Sequence, residues 1–387
     1  MSFNFLSGIN VLGGGLLGIV IPFLFVLTLV VFFHELGHFL VARWCGVRVL
    51  VFSIGFGPEL FGFNDRYGTR WKISAVPLGG YVKFFGDENA ASVPDQAALA
   101  AMSAQERRES FVDQPVGPRA AIVAAGPLAN FLLAIVIFTG LTMVFGKSID
   151  SPRVDIVHPN SPAAAAGFQP GDVILKINGR SIENFIEMKQ IVSTSAGDTL
   201  VFEVDRGGTP VTLKATPALK ETKDRFGNVI REGVLGIERK SQPDEKHFER
   251  VGAAEALSIS VQRTWFVVER MFSFLGGVVA GRESADQLGG PIRIAQVSGQ
   301  VATEGLPSLI GLVAVISISI GMLNLFPIPL LDGGHLLFYA IEAIRGKPLS
   351  ERAQEMGFRI GLAIVVMLMI FVTYNDILHV LGQWTAS

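Results

Sequence analysis

Two histidines and a glutamate stand together at the end of the first apolar stretch, in the order His34-Glu35-Leu36-Gly37-His38. Helix residues four apart differ by about 40° in direction and about 6 Å in rise, so both imidazoles would project from one face. Two such imidazoles are typical zinc ligands, and the glutamate between them could take a proton from a water that the metal has acidified. We therefore predict a hydrolytic zinc centre with His34 and His38 as ligands and Glu35 as general base.

The alternative for this motif is a pair of surface histidines beside a solvated glutamate, as soluble helices often have. Residues 1–33 contain no charged side chain, however, which is typical of a membrane-spanning helix. Ionisable groups at the end of such a helix are costly unless they have partners. A metal ion would supply the partner, which favours the zinc interpretation.

A third protein ligand is expected, because catalytic zinc generally takes three and keeps one position for water. Asp332 is our candidate, since it follows the uncharged run 305–331 and is the acid nearest the inner end of that run. Pro327 and Pro329 must break the helix there, and the freed backbone groups are tolerable only beside a polar cavity. His335 is the rival ligand. We favour Asp332 because a carboxylate is a familiar third zinc ligand.

Two asparagines in apolar segments have alternative interpretations. Asn324, eight residues before Asp332, could contact the substrate backbone or an oxyanion, or could be an interhelical hydrogen-bond donor. Asn130 is interpreted as a helix-packing group, with substrate contact as the alternative. The remaining histidines lack ligand spacing, which favours surface or interfacial roles; they are His158, His247 and His379.

Composition indicates a membrane protein. Of 387 residues, 50% are hydrophobic and only 17% are charged. Four stretches are apolar enough to span a bilayer, namely 1–33, 120–145, 305–331 and 360–375. The segment 264–281 is apolar except for two adjacent charges, which favours an interfacial amphipathic helix. The net charge of −2 argues against a nucleic-acid partner, and the single Cys45 excludes an intrachain disulfide.

The basic residues predict the orientation in the membrane. Residues 43–119 hold nine Lys and Arg and 345–359 hold four, whereas 1–16 and 376–387 hold none. The positive-inside rule therefore places both termini outside the cytoplasm. The segment 146–250 also lies outside, because long folded domains translocate largely regardless of their charge.

Between the membrane segments, the sequence predicts β-structure. Residues 69–86 are interpreted as a hairpin around a Pro-Leu-Gly-Gly turn, preceded by a glycine-rich turn at 54–58 and followed by a polar loop over 87–118. Residues 161–182 resemble the core of a PDZ domain, with a helix start, a Gly-x-x-Pro-Gly-Asp turn and a strand ending in Asn-Gly.

Taken together, these motifs resemble the site-2 protease family of intramembrane zinc metalloproteases, specifically its bacterial branch. The resemblance rests on HELGH at 34–38, IGFGP at 54–58, PLGGYVKF at 77–84, GPLAN at 126–130, the PDZ-like segment, LGGPI at 288–292 and NLFPIPLLDGG at 324–334. It implies a Zn²⁺ cofactor held by His34, His38 and Asp332, with Glu35 as general base.

The resemblance also suggests a substrate and its binding residues. It implies that the hairpin residues Gly79, Gly80, Tyr81 and Val82 pair with an unwound substrate as an added strand, and that Asn324 acts near the scissile segment. The substrates would be single-pass membrane proteins, such as anti-sigma factors or signal-peptide remnants, already cut once by another protease. Well-known members of the branch carry two tandem PDZ domains, whereas one is found here.

The predicted fold is a polytopic α-helical membrane protein with about four transmembrane helices, a membrane-associated β-hairpin and one extramembrane PDZ domain of β-rich α+β type. The predicted parts are an N-terminal membrane half over 1–150, the PDZ domain over 151–240, an amphipathic helical connector over 241–304 and a C-terminal membrane half over 305–387. The predicted location is a bacterial inner membrane, with the PDZ domain and both termini periplasmic. The oligomeric state stays open.

Two other functions compete with proteolysis. The first is a catalytically silent PDZ-bearing membrane scaffold that binds transmembrane helices without cutting them; Glu35 argues against it, because a pseudoenzyme has no physical need for a base beside its metal. The second is a zinc transporter, which would need ligand sites at several depths. Here the polar groups converge on one depth.

Overall fold

A computed structural model describes residues 15–86, 102–148, 151–182, 184–223, 229–239, 248–281, 285 and 288–386. The chain divides into two compact units. The first comprises Met1–Leu141, Ala256–Val279 and Leu288–Ile377, and the second comprises Thr142–Glu255, Ala280–Gln287 and Leu378–Ser387.

The secondary structure alternates long helices with short strands. In chain order the helices are α1 (Leu16–Trp44), α2 (Ala104–Glu109), α3 (Val116–Phe145), α4 (Pro162–Ala166), α5 (Phe185–Ser193), α6 (Ala253–Val279), α7 (Pro291–Thr303), α8 (Leu306–Asn324), α9 (Asp332–Arg345) and α10 (Glu351–Ala386). The strands are β1 (Val49–Asn64), β2 (Arg70–Phe84), β3 (Lys147–Ser148), β4 (Ile156–Val157), β5 (Val173–Ile177), β6 (Arg180–Ser181), β7 (Leu200–Arg206), β8 (Thr209–Ala215), β9 (Ala218–Lys223), β10 (Val229–Val234), β11 (Ile237–Glu238) and β12 (Phe248–Glu249).

Within the described residues, four helices are long and apolar enough to cross a membrane, which is the predicted number. They are Leu16–Trp44, Val116–Phe145, Leu306–Asn324 and Arg352–Leu378. Two details of these helices agree with the sequence. α1 continues past the uncharged run and carries the HExxH motif inside the helix, and α8 stops at Asn324, before the prolines at 327 and 329 that were expected to break it.

The long apolar helices of the first unit pack through small residues and through apolar clusters. Val26 and Val30 of α1 pack against Leu133 of α3 and Val313 of α8, and all four are buried. α7 lies against the start of α1, where a Cβ atom added to Gly299 would lie only 3.0–3.1 Å from Ile19 and Gly18. α7 is therefore part of this unit, although it lies inside the predicted connector 241–304.

α10 holds the N-terminus of α7 through one carboxylate. The buried Asp376 accepts hydrogen bonds from the backbone amides of Gly290, Ile292 and Arg293, at 2.9, 3.0 and 3.2 Å. The free amides of a helix N-terminus carry partial positive charge, so a carboxylate is a suitable cap. The LGGPI motif at 288–292 thus places α7 against α10.

α6 contains most of the segment 264–281 and extends further toward the N-terminus. Its exposed side chains include large apolar ones as well as polar and charged ones, whereas its buried residues are small or carry hydroxyl groups. The exposed apolar ones include Leu257, Val261, Trp265 and Phe272, and the exposed polar ones include Glu255, Gln262 and Glu269. The buried Ser260 and Thr264 donate to backbone carbonyls four residues earlier.

The strand pairing contains the predicted turn and a second turn that the sequence analysis did not predict. β1 and β2 pair antiparallel and reverse at Asp65–Thr69, where the Asp65 side chain accepts from the amides of Tyr67 and Thr69 at 2.8 and 3.0 Å. The chain also reverses at the predicted Pro-Leu-Gly-Gly turn. Residues 51–54 pair with 70–73 on one side and with 80–83 on the other, and these two segments run in opposite directions, so the chain turns between Val76 and Gly80.

One neighbouring prediction agrees with the register and one is corrected. Ile54 and Phe61 both pair with Ile73 from opposite sides, so the chain reverses between them, around the predicted turn at 54–58. The expected loop 87–118 is partly helical, with α2 and the first turn of α3 inside it. α2 begins with a capping box in which Ser103 and Glu106 hydrogen-bond reciprocally. The remainder of that loop, 87–101, lies outside the described residues.

An apolar cluster fixes this sheet against α1 and α3. Phe52 is 1% exposed and pairs along the sheet with both Val82 and Trp71. It packs against Phe39 of α1, and the same cluster includes Ile122 of α3. The end of β2 is thereby held beside the HExxH segment.

The second unit is β-rich and carries two short helices, α4 and α5. Its main sheet has the strand order β6-β5-β7-β8, with smaller pairs of β4 with β11 and of β9 with β10. Ile174, Phe202 and Leu235 lie at the centre of its core. α4 is capped by the Ser161 hydroxyl, and its C-cap Gly167 has a φ of 85°, which suits glycine. This fold is compatible with the predicted PDZ domain.

Candidate metal centre

α1 supplies two imidazoles that face each other. His34 and His38 are one helical turn apart, as predicted, and both are buried. Their Nε2 atoms lie 3.3 Å apart. Two ring nitrogens at this distance are suitably placed to share one metal ion.

α9 brings the third predicted ligand to the same point. The Asp332 Oδ2 atom lies 3.3 Å from His34 Nε2, and Oδ1 lies 3.6 Å from His38 Nε2. Ligands at about 2.0–2.1 Å from a tetrahedral zinc are roughly 3.3 Å apart, so the three groups have suitable spacing. Among the described residues, His34, His38 and Asp332 form the group whose ligand atoms all lie within 4.8 Å of one another.

The carboxylate itself indicates that a cation belongs at this point. Asp332 Oδ2 is buried and has no hydrogen-bond partner, although buried carboxylate oxygens are normally satisfied. Two imidazoles and a carboxylate are a ligand set that catalytic zinc uses. The residues therefore fit a zinc ion.

His335, the rival ligand, lies outside this group. Its ring packs near Tyr339 and Phe358, with ring centroids 6.4 and 5.4 Å away. It begins the second turn of α9, whereas Asp332 begins the first. His335 still lines the cavity in front of the metal group.

The close crossing of α1 and α3 explains how the histidines fit between the helices. A Cβ atom added to Gly126 would overlap the His38 ring, and one added to Gly37 would overlap the backbone oxygen of Ala125. Small residues permit this approach in membrane helices. Pro127 follows Gly126 inside α3.

The segment between α8 and α9 aims Asp332 at the histidines. Leu330 has a φ of 93°, a strained conformation for a branched residue, and Asp332 follows two residues later. Gly333 and Gly334 pack so tightly on the backbone of residues 325–329 that a Cβ atom on either would overlap it. The segment is therefore rigidly packed, and its strain falls beside the candidate site.

A cavity of about 600 Å³ lies in front of the three candidate ligands. Glu35 lines it, and so do all five residues predicted to bind substrate, which are Asn324, Gly79, Gly80, Tyr81 and Val82. The Asn324 Nδ2 atom lies 3.5 Å from His34 Nε2. Gly80 approaches Glu35 so closely that a Cβ atom would contact the Glu35 side chain at 3.0 Å.

α3 contacts the outer nitrogen of each histidine. The Ile122 carbonyl lies 2.9 Å from His38 Nδ1, and the Asn130 amide lies 3.2 Å from His34 Nδ1. The sequence interpretation of Asn130 as a helix-packing group missed this contact. Nothing in the local sequence indicates that residue 130 would lie beside residue 34.

Comparison with known proteins gives the family. The family model described as "Peptidase family M50" matches residues 22–368 of the chain. The chain belongs to peptidase family M50. This is the site-2 protease family that the motifs resemble.

Relatives of this M50 chain cover nearly its whole length. A protein of Agrobacterium fabrum, named as a predicted zinc metalloprotease, is 50% identical and aligns over 95% of this chain and 98% of its own. The metalloprotease MmpA of Caulobacter vibrioides is 42% identical and aligns over 94% of this chain and 96% of its own. The regulator of sigma-E protease RseP of Escherichia coli is 32% identical and aligns over 92% of this chain and 97% of its own. The M50 chain is therefore a zinc metalloprotease, and its four apolar helices indicate a multi-pass membrane protein.

The alignment with RseP extends over 451 positions, against 387 residues here, so RseP contains sequence that this M50 chain lacks. Two solved PDZ domains also match. That of the SdrC-like protein from Listeria innocua is 23% identical and covers 26% of this chain and 100% of its own, with a TM-score of 0.19. The PDZ domain of the SdrC-like protein from Listeria monocytogenes is 22% identical and covers 24% of this chain and 87% of its own, with a TM-score of 0.18.

Proposed function

We propose that this zinc metalloprotease hydrolyses peptide bonds within or near the transmembrane segments of single-pass membrane proteins. His34, His38 and Asp332 hold the zinc, and Glu35 is the general base. The observation that carries the proposal is the position of the ligands. Two of them lie in α1, a helix apolar enough to span a membrane, within 3.6 Å of the third.

Each residue of the site has a chemical task. Zinc held by three protein ligands acts as a Lewis acid that polarises a carbonyl and acidifies a water. Glu35, on the same cavity, accepts a proton from the attacking water and delivers it to the leaving amine. Asn324 faces the cavity close to His34, where its amide donates to the substrate backbone or to the developing oxyanion.

The substrate binds as an extended strand along β2. A helical substrate hides its carbonyls in hydrogen bonds, so it must be unwound before hydrolysis. Residues 80–84 pair with 49–54 of β1 on one edge, and among the described residues no strand pairs with their other edge. Gly79–Val82 line the cavity that holds the metal ligands. Strand addition at the free edge would place a peptide bond beside Glu35.

The wider context follows from the charge distribution and from the relatives. We place the protein in a bacterial inner membrane with both termini and the PDZ domain in the periplasm, because 43–119 and 345–359 carry basic residues whereas 1–16 and 376–387 carry none, and a long folded domain such as 146–250 translocates largely regardless of its charge. The substrates include anti-sigma factors or signal-peptide remnants that a first protease has trimmed. The name of the 32% identical RseP, regulator of sigma-E protease, supports the anti-sigma class.

The decisive experiment compares wild type, Glu35→Gln and the control Glu109→Gln in detergent, each with its zinc content measured. Glu109 is a half-exposed partner of Arg48. With a trimmed model transmembrane substrate, wild type and Glu109→Gln should cleave, and Glu35→Gln should be slower by at least about a hundredfold, because a positioned base contributes about 10²–10⁴ in rate. Equal cleavage by Glu35→Gln would remove Glu35 from this role.

The same experiment tests the scaffold alternative. Zinc in all three proteins without cleavage of several trimmed substrates would favour a silent scaffold. Trapping then identifies the natural substrates, since stalled membrane helices should copurify with Glu35→Gln.

A further inference from the structure

We propose that Asn130 is a positioning residue for the metal centre. Its amide oxygen accepts a hydrogen bond from the Nδ1–H of His34 and holds that imidazole in the tautomer whose Nε2 can bind zinc. This inference rests on the proposed role of His34 as a ligand and adds a residue to it.

Burial and distance place Asn130 at the required point. The residue is 0% exposed, and its amide lies 3.2 Å from His34 Nδ1. Its backbone is held as well, because the Ser317 hydroxyl of α8 donates to the Asn130 carbonyl at 2.9 Å. Asn130 therefore approaches His34 from a fixed position.

The protonation of a ligand histidine determines which amide atom must face it. A neutral imidazole carries one N–H, and His34 directs Nε2 at His38 and Asp332. The proton therefore lies on Nδ1, which must donate. Of the two amide atoms of Asn130, only the oxygen can accept this hydrogen bond.

An unsatisfied atom supports this orientation. With Nδ2 toward His34, Asn130 Oδ1 is buried without a hydrogen-bond partner. The two amide atoms have nearly the same shape, so hydrogen bonding decides which of them faces a neighbour. Rotating the amide by half a turn pairs Oδ1 with the Nδ1–H of His34.

His38 shows the same arrangement with a backbone acceptor. Its Nδ1 lies 2.9 Å from the Ile122 carbonyl, which can only accept, so its proton also lies on Nδ1. α3 thus supplies an acceptor to each histidine, a main-chain oxygen to His38 and a side-chain oxygen to His34. Such outer partners fix the tautomer and orientation of metal-binding histidines.

The test measures zinc affinity rather than proteolysis. Full-length wild type, Asn130→Leu, Asn130→Asp and Thr139→Val are purified in detergent, and their zinc dissociation constants are measured by competition with a chelator. Leucine has a similar size and no acceptor, whereas aspartate keeps one. Thr139 lies on α3 and donates to the Ile135 carbonyl, so its variant is the matched control.

We expect Asn130→Leu to bind zinc about 10–100 times more weakly, because loss of an outer partner typically costs that much. Asn130→Asp and Thr139→Val should bind within about threefold of wild type. The thermal unfolding temperatures of the metal-free proteins show whether a substitution affects folding rather than zinc binding. Wild-type affinity in Asn130→Leu, or equal weakening in the Leu and Asp variants with unchanged melting, would overturn the proposal.

His34→Ala separates this proposal from the proposed function. If His34→Ala binds zinc like wild type, the metal centre itself is misassigned. If His34→Ala loses zinc while Asn130→Leu keeps wild-type affinity, only the role of Asn130 fails.

Discussion

Asp332 has a favourable position for a metal ligand because it is the first residue of α9. The free amides at the start of a helix carry partial positive charge, which stabilises a carboxylate there. The preceding strained Leu330 and the following Gly333 allow the chain to turn sharply at this point. Backbone geometry therefore directs the carboxylate toward α1.

Removing this carboxylate should remove the metal. We expect Asp332→Ala to retain less than a tenth of the zinc bound by wild type after dialysis, because two imidazoles leave the site one ligand short. The control is Glu342→Gln on the same helix, where Glu342 accepts from Arg119 at 2.6 Å, away from the metal ligands. Metal analysis of the purified proteins checks this. Full zinc occupancy in Asp332→Ala would contradict Asp332 as a ligand.

Single residues were predictable from sequence where spacing along the chain encodes the chemistry. His34 and His38 follow from helical spacing, and Asp332 follows from an acid at the end of an uncharged run. The contact of Asn130 with His34 was not predictable, because an asparagine that packs helices and one that supports a histidine look identical in one sequence. Only the crossing of α1 and α3 distinguishes them.

At the scale of elements, the metal centre depends on how closely α1 and α3 approach. Gly37 and Gly126 remove the two side chains that would hold the helices apart. Glycine lowers the stability of each helix slightly, so the two glycines stabilise the structure only by letting the helices pack closely.

Gly126→Ala should therefore damage the site without touching a ligand. The added methyl group would overlap the His38 ring, and such overpacking costs about 1–3 kcal/mol. We expect zinc affinity and cleavage rate to fall at least about tenfold. Gly140→Ala is the matched control on the same helix, since a Cβ there meets no atom within 4 Å, and it should behave like wild type. If the two variants behave alike, this view of the crossing is wrong.

The sheet was predictable only in part. Pro-Leu-Gly-Gly is typical of a turn, and the chain reverses there. A second turn depends on Asp65, whose side chain closes it. A hydrogen bond of this kind leaves only a weak signal in the sequence.

At the scale of the whole molecule, the second unit has its own core and its own buried ion pair. Asp172 is 1% exposed and accepts two 2.8 Å hydrogen bonds from Arg206. Burial alone raises the pKa of the Asp172 carboxyl, but the bonds from Arg206 and from the Gln169 amide outweigh burial and hold the pKa below its usual range. The ionised carboxylate therefore stabilises the folded unit.

This pair should make the stability of the second unit depend on pH. Because the folded pKa of Asp172 is lowered, its stabilisation is complete above the unfolded pKa of about 3.9 and is lost as pH falls through the folded value. At pH 7, Asp172→Asn should destabilise the unit by about 1–3 kcal/mol. The variant should also lose less stability on acidification than wild type does.

Hydrogen exchange of the β5 and β7 amides in the full-length protein measures both effects, after correction for the intrinsic exchange rate. Glu203→Gln is the control, since Glu203 pairs with Lys176 on the exposed surface of the same sheet and should change stability by less than about 1 kcal/mol. Equal protection in wild type and Asp172→Asn at pH 7 would show that this pair contributes no stability.

The overall organisation was predictable in kind, because uncharged runs indicate membrane helices and Asn-Gly and Gly-Gly turns indicate a β-rich domain. Its assembly was not, because α6 and α7 resemble a connector in sequence but belong to the unit that contains α1. Residues far apart along the chain decide that assignment, including Gly299 beside Gly18 and Asp376 at the start of α7.

The paired imidazoles and the carboxylate that completes their group lie far apart along the chain, with most of the β-rich unit encoded between them. During synthesis, a ribosome makes the HExxH helix long before it reaches the acid. A nascent polypeptide that has not yet reached Asp332 therefore lacks the complete ligand set.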